Sequence, residues 1–216
     1  GQVVVGLGLL FGNGAASCLS RLLGQGDREN ANRVASTALY SSIFVGAAVI
    51  LCAVIFLKPL LKCLGATDSI LPYAVTYAGI YVVSSIFNVF NVTMNNIVSS
   101  EGAAKTTMCV LLAGAVLNLV LDPIFIYGLD LGVAGAAIAT GISQCFSALV
   151  YLAYILGKRS VFRFSIRDFR LSGNIMSEIL KIGIPTMAFQ LLTSLSMSMI
   201  NDRAQEYGDY ALAAMG

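Results

Sequence analysis

The chain has 216 residues, of which 57% are hydrophobic and 11% charged, with a net charge of +2 and a mean hydropathy of +0.83. Soluble domains carry about 25% charged residues, so this balance excludes a single water-soluble core and predicts several membrane-spanning helices. It gives no clustered basic face for nucleic acid, and the absence of His removes the usual partner from zinc sites and from Ser-His or Cys-His catalysis.

Charges and turn residues divide the chain into six apolar segments, 1–21, 34–57, 73–98, 106–128, 132–156 and 179–203. Each is near the ~20 residues that a helix needs to cross a bilayer. Long apolar runs without period-2 alternation predict α-helices rather than barrel strands. The expected fold class is therefore all-α, a polytopic membrane helix bundle.

The first segment begins at Gly1 inside an apolar run with no initiator Met, and the chain ends on ALAAMG, which reads as the opening of another helix. We expect a piece of a longer chain. Gly8 and Gly12 form a G-x-x-x-G, as do Gly128 and Gly132 further on, and GVAGAAIATG is rich in small residues. Such residues let membrane helices approach closely. GLGLLFGNG is not a nucleotide loop, because no strand precedes it and no Lys stands in the P-loop position. The cysteines, Cys18, Cys52, Cys63, Cys109 and Cys145, form no C-x-x-C pair. Four lie in apolar runs and are expected to act as small apolar fillers.

In the third segment Tyr77, Tyr81, Ser84, Asn88, Asn91 and Asn95 are spaced 4, 3, 4, 3 and 4. That spacing draws one polar stripe along one helix face. A stripe facing lipid is costly, so it should face a water-filled cavity or neighbouring helices. Interhelical hydrogen bonding is the plainer role. Six aligned positions exceed what packing usually needs, so a cavity is expected.

The fourth segment contains NLVLDPIFIYG, in which Asp122 is followed by Pro123. A carboxylate inside a span is a functional candidate by default. Asn118 lies four residues earlier on the same face, and Pro123 has no N–H to give the Leu119 carbonyl. One turn thus offers a carboxylate, an amide oxygen and a freed carbonyl, all donors suited to Na⁺, with H⁺ as the alternative. The turn YGLDLG should reverse the chain near Asp130, which brings Thr140 to within ~3 Å of the depth of Asp122. The competing role for Asp122 is a hydrated residue near the outer interface, with Pro123 loosening the helix end. Desolvation disfavours the charged carboxylate, so protonation or Na⁺ binding would neutralise it. Exclusion of a cationic substrate on alternate sides of the membrane then gives antiport.

Loops 21–33, 99–105 and 157–181 hold ten of the thirteen Lys and Arg. The positive-inside rule places them in the cytoplasm. Lys58, Lys62 and Arg203 lie on the other side. KRSVFRFSIRDFRLSG, the longest hydrophilic stretch, is expected to be a basic cytoplasmic connector between two membrane bundles.

Four blocks carry a family resemblance: GNGAASCLSRLLGQGDRENANRVASTAL, NNIVSSEGAAKTTM, NLVLDPIFIYGLDLGVAGAAIATGISQ and KIGIPTMAFQLLTSLSMSMINDRAQEYGDYALAA. In this order they resemble the multidrug and toxic compound extrusion (MATE) transporters over nearly the whole chain. The resemblance implies two six-helix lobes. Residues 1–157 would hold helices 2 to 6 of the N-terminal lobe, with the first helix missing. Residues 158–178 would be the cytoplasmic basic linker, and 179–216 the seventh helix and the start of the eighth.

It also implies a multi-pass exporter of small organic cations or drugs in the inner (cytoplasmic) cell membrane, driven by Na⁺ or H⁺. In the branch with a first-lobe cation site, the motif's residues match Asn118, Asp122, Thr140 and Tyr77. These would bind the coupling cation, with Asp122, Asn118 and Thr140 holding Na⁺ if the carrier is sodium-coupled; the stripe residues Tyr81, Ser84, Asn88, Asn91 and Asn95 are expected to line the cavity. Two departures limit the match. The first-helix Asp that partners this site is absent, and Thr193 stands where another branch carries Glu, eight residues after Pro185. No cofactor beyond the coupling ion is expected, and no partner beyond substrate and lipid, so the carrier should be a monomer. A lipid-linked oligosaccharide flippase is the alternative in the same superfamily. It commonly needs basic residues in its cavity, and the segment interiors have none. An enzyme is not expected, because acid–base work usually wants a pair of titratable groups. A channel differs from a carrier in needing no counter-gradient.

Overall fold

A bilayer leaves no water for backbone N–H and C=O groups, so an apolar chain closes its hydrogen bonds within helices. The computed structural model describes residues 2–57, 71–129, 131–165, 168–169 and 172–206, and every long element among them is helical. The helices are α1 (Gln2–Gly24), α2 (Arg28–Ile55), α3 (Leu71–Ser100), α4 (Ala104–Pro123), α5 (Gly132–Leu156) and α6 (Gly173–Glu206). A π-helical turn, Ile124–Gly128, follows α4. Among the described residues, five helices are long and apolar enough to cross a membrane. The other, α3, has 30 residues, about 45 Å of helix, and carries the polar stripe.

Most of each apolar segment lies within a helix, but several helix ends do not follow the segments: 34–57 runs past the end of α2 at Ile55, and 106–128 runs past α4 into the π-helical turn. α2 begins at Arg28 rather than 34, and α6 at Gly173 rather than 179, so residues 173–178 of the expected linker are helical. A helix starts where its first N–H groups are capped, not where its apolar run starts. Asp27 caps α2: its Oδ1 accepts from the Asn30 N–H at 3.1 Å and its Oδ2 from Asn30 Nδ2 at 2.6 Å. These bonds hold the Asp27 carboxyl below its ordinary value. Glu29 and Arg33 then pair one turn apart at 2.6 Å. The expectations for Cys63, Lys58, Lys62, Asp130, Arg167, Arg170 and residues 207–216 concern positions outside the described residues.

α1 is the hub. It packs against α2, α3 and α6, while α3 also packs against α2 and α5, and α4 mainly against α5. Lipid tails are as apolar as Leu, so close van der Waals contact joins such helices. Glycines make this possible on two sides of α1. A Cβ at Gly8 would lie 2.7 Å from Val92 Cβ of α3, and one at Gly12 would lie 2.9 Å from Asn96 Nδ2. A Cβ at Gly14 would strike the Ile179 carbonyl of α6, and one at Gly183 the Leu10 carbonyl. Between them lies a core of Leu10, Phe11, Leu19, Phe90, Met94, Ile97, Tyr151 and Ile179. The second G-x-x-x-G does not join helices. Gly132 has φ +51° with nothing within 4 Å of a Cβ, so it supplies left-handed backbone at the start of α5. The motif straddles a turn there, and its two glycines do not share one helix face.

The three basic loops meet at one end of the bundle. Arg21 Nη2 donates to Glu178 Oε2 at 2.8 Å, and Cys18 Sγ donates to the same oxygen at 3.1 Å. Glu101, between α3 and α4, accepts from Tyr154 OH (2.8 Å), Ser160 Oγ (2.9 Å) and the Val161 N–H (2.7 Å). The Arg163 N–H donates to Asn32 Oδ1 at 2.9 Å. Phe162 is buried in the core. The first part of the basic connector is therefore docked on the bundle through an apolar plug and a carboxylate anchor.

Two outcomes follow from these contacts. Gly183→Ala should destabilise the protein by about 1–3 kcal/mol through overpacking, seen as a lowered melting temperature in detergent. Gly24→Ala, with open space around it, is the control. Glu101→Ala should speed tryptic cleavage at Lys158, Arg159 and Arg163; an unchanged rate would mean that Phe162 and the Arg163–Asn32 bond hold the segment without Glu101.

Candidate functional site

The polar stripe of α3 turns inward. Residues three and four apart share a helix face, and on this face Asn91 and Asn95 reach α5. Asn91 Nδ2 donates to Gln144 O at 2.9 Å and to Gln144 Oε1 at 2.7 Å. Asn95 Nδ2 donates to Tyr151 OH at 3.1 Å. Both bonds cross between helices, so the stripe does serve as interhelical glue.

The stripe also lines a cavity. A space of about 500 Å³ opens between α1, α3, α4 and α5, within the usual range for small-molecule sites of ~300–1,000 Å³. Val5 and Leu9 of α1 give it an apolar wall, while α3 contributes Asn88, Asn91, Asn95 and Asn96. α4 contributes Asn118, and α5 contributes Thr140, Ser143, Gln144, Ser147 and Tyr151. Among the described residues no Asp, Glu, Lys or Arg lines it. The wall is polar but neutral.

Half of that polar lining was missed in the sequence. Thr140, Gln144, Ser147 and Tyr151 are spaced 4, 3 and 4, the same pattern that marks α3. This periodicity follows the Gly/Ala-rich start of α5, whose small residues point to packing.

The remaining predicted site residues divide into groups. Asn118 Nδ2 donates to Asp122 Oδ1 at 3.2 Å, so the i,i+4 pair forms. Asp122 is half-buried but does not line the cavity, whereas Asn118 does. Thr140 lies on the cavity wall with its hydroxyl donating to the Ala136 carbonyl at 2.9 Å. Among the described contacts no hydrogen bond joins Thr140 to Asp122. Tyr81 and Ser84 line a separate pocket of about 20 Å³ with Ser85, Asn88, Thr140 and Gln144. The side chain of Tyr77 lies outside the described residues. Past Pro123 the backbone ladder changes step. The Ile124 N–H bonds to the Leu121 carbonyl, three residues back, and the Leu129 N–H to the Ile124 carbonyl at 3.0 Å, five back. The proline thus sits where an α-helix gives way to a wider turn beside the carboxylate.

Among the described residues no group of three His, Cys, Asp or Glu could hold a metal ion. A cation here would be held by neutral oxygens and, beside Asn118, one carboxylate. That donor set suits a monovalent ion better than a divalent one.

Residues 2–124, more than half of the chain, match the MatE family model. The chain belongs to the MatE family. It is 34% identical to the Multidrug export protein MepA of Staphylococcus aureus (strain MRSA252), over 99% of this chain and 48% of that protein. The protein of the same name from Staphylococcus saprophyticus is 33% identical over the same shares. The chain therefore spans about half the length of the curated MatE relatives it matches. A multidrug resistance MATE family transporter solved in an inward-facing conformation superposes with a TM-score of 0.87 at 32% identity, over 97% of this chain and 48% of that one. An outward-facing structure with the same family description gives 0.87 at 33% identity, over 96% and 46%. The likeness fits both states equally and does not choose between them. With this family and five apolar helices, the chain is a multi-pass membrane protein.

The amide clamp makes a quantitative expectation. Asn91→Leu removes both bonds to Gln144 and should cost about 1–3 kcal/mol, while Gln144→Met removes one and should cost less. Thermal unfolding of the two variants ranks them. Equal costs would show that the bond to the Gln144 carbonyl contributes nothing.

Proposed function

We propose that this chain is part of a cation-coupled exporter of small organic cations or drugs, working by alternating access. The observation that carries the proposal is the join between Asp122 and the cavity. A MatE chain places one half-buried carboxylate within a hydrogen bond of Asn118, and Asn118 lines a 500 Å³ cavity. The wall of amides and hydroxyls can accept N–H donors from a cationic guest without repelling its apolar parts. The multidrug export role of the Staphylococcus relatives supports the substrate class.

Asp122, with Asn118 as its link to the cavity, is the proposed ion-coupling group, and Thr140 supplies a further oxygen on the facing wall. Binding of Na⁺ or H⁺ at Asp122 removes the local negative charge and lowers the affinity for a cationic guest. The two ligands then exclude one another, which is what antiport requires. The end where the three basic loops meet is assigned to the cytoplasm by the positive-inside rule, and the inner cell membrane is the proposed location. The protein is proposed to act as a monomeric carrier and to carry out no chemical step on its substrate. A flippase for lipid-linked oligosaccharides would be expected to meet phosphate with basic residues, and the described cavity wall has none.

The test uses the full-length protein in proteoliposomes. Ethidium efflux driven by an imposed Na⁺ or H⁺ gradient should vanish in Asp122→Asn while the melting temperature stays near wild type. The gradient that drives wild type identifies the ion. Normal efflux by the variant would make Asp122 a helix-end residue without a coupling role.

A further inference from the structure

We propose that an exposed groove between α4 and α5 is a binding site for one anionic phospholipid, with Lys105 and Arg159 holding the phosphate and the groove holding an acyl chain. The groove has a volume of about 450 Å³ and is lined by Leu112, Ala113, Val116, Leu117 and Val120 of α4 and Phe146 of α5. Every one of these side chains is a hydrocarbon. All are exposed except Leu117, which is half-buried. Leu111, Gly114 and Asn118 face the 500 Å³ cavity, so the groove lies on the other side of α4 and takes no part in the transport proposal.

The charge stands at one end of this groove. Lys105, Leu112, Val116 and Val120 are spaced 7, 4 and 4, which puts them on one helix face. Lys105 is exposed at the start of that face. On α5, Phe146, Val150, Ala153 and Gly157 are spaced 4, 3 and 4 and form the matching face. A Cβ at Gly157 would lie 3.9 Å from Arg159 Cγ, so the exposed Arg159 side chain lies against the end of it. Among the described residues the salt bridges are Arg21–Glu178 and Arg33–Glu29, and neither Lys105 nor Arg159 is in one. Glu101, the acidic group at this end, is engaged by Tyr154, Ser160 and the Val161 N–H.

Two unpaired cations at the head of a hydrocarbon groove fit a partner with a negative head and an apolar tail. Basic sites between membrane helices at the cytoplasmic end take anionic lipid heads in this way. The depths agree with such a partner. Leu112 lies about 10 Å and Val120 about 22 Å along α4 from Lys105, and Phe146 about 16 Å along α5 from Gly157. One leaflet of hydrocarbon is about 15 Å thick, so the groove runs at the depth of an acyl chain whose head is at Lys105. A protein helix is a poorer fit. Helices in this bundle meet through glycines, as close packing in lipid requires, and Gly114 of α4 already faces Ser147 of α5. The groove side of α4 presents Leu and Val, and a helix laid on it would have to bring acidic groups to Lys105 and Arg159.

The experiment titrates the delipidated full-length protein, in neutral detergent at fixed ionic strength, with dioleoyl phosphatidylglycerol. Dioleoyl phosphatidylcholine is the neutral lipid with the same chains, and melting temperature is the readout. Phosphatidylglycerol should give a saturable rise and phosphatidylcholine a much smaller one. Lys105→Gln combined with Arg159→Gln should raise the half-saturating phosphatidylglycerol concentration about tenfold or more. Lys105→Gln alone should act in the same direction. Ala113→Phe, which fills the groove from an exposed position, should also weaken the response, and glycerol phosphate, a head without chains, should give none. Equal rises with both lipids would overturn the proposal, as would a phosphatidylglycerol response unchanged by the charge variants, the result expected if another part of the longer chain covers this face. A response lost with the charges but untouched by Ala113→Phe, or reproduced by glycerol phosphate, would mean that the groove holds no acyl chain and the site is wrong. None of these readouts involves a drug or a coupling ion, so the transport proposal stands or falls separately.

Discussion

A side-chain amide N–H inside an apolar bundle must find an acceptor, and the Asn91 Nδ2 bonds to Gln144 meet that demand across α3 and α5. Asn91 is more than nine-tenths buried, and both contacts of its Nδ2 are to one residue of α5. With α3 and α5 registered by this clamp, Asn88 and Asn95 of one stripe and Thr140, Ser147 and Tyr151 of the other line the same space. The 500 Å³ cavity is the room left over. Its neutral wall follows from the residue types that can be hydrogen-bonded there at modest cost, since an unpaired charge at this depth costs several kcal/mol.

The glycines explain why the cavity lies where it does. α1 approaches α3 closely at Gly8 and Gly12 and α6 at Gly14, and the cavity opens beside the α1–α3 contact, where Val92 and Asn96 line it. α4 has few buried side chains and packs mainly on α5 and the turn that joins them. The bundle is tight around α1 and open toward α4, and polar groups of α3, α4 and α5 converge on the open side. α4 also carries the proline and the π-helical turn. A sparsely enclosed helix of the bundle is thus the one whose backbone is already interrupted beside a carboxylate.

Much of this was legible in the sequence, for identifiable reasons. Apolar runs longer than a bilayer is thick have few alternatives to helix, so the six helices could be placed. The α3 stripe and the pair of Asn118 with Asp122 follow from helical spacing alone, because residues three and four apart share a face whatever the fold. Helix ends were less legible: Asp27 and the polar residues before Ile179 extend helices past their apolar runs. Contacts distant in sequence were not legible at all. Glu101 meets Ser160 and Val161 across about sixty residues, and no local pattern marks that carboxylate as an anchor. The separation of Asp122 from the cavity wall was hidden similarly. Equal depth along two helices does not fix how each helix is rotated about its axis, and rotation decides which side chains share a cavity.

That rotation gives Asn118 its place in the transport proposal. Its amide nitrogen is bonded to Asp122, while the residue itself lines the cavity. A charged carboxylate holds an amide N–H more strongly than a neutral carboxyl does. On the proposed coupling role, protonation of Asp122 would weaken the bond that fixes the Asn118 amide, and the amide could then present its other groups to the cavity. A ligand shifts a conformational equilibrium only by its difference in affinity for the two states. Asn118 supplies such a difference at short range: one arrangement with Asp122 charged and the amide held back, another with Asp122 neutral and the amide released. On this reasoning the ion and the drug never need to touch the same atom for each to sense the other.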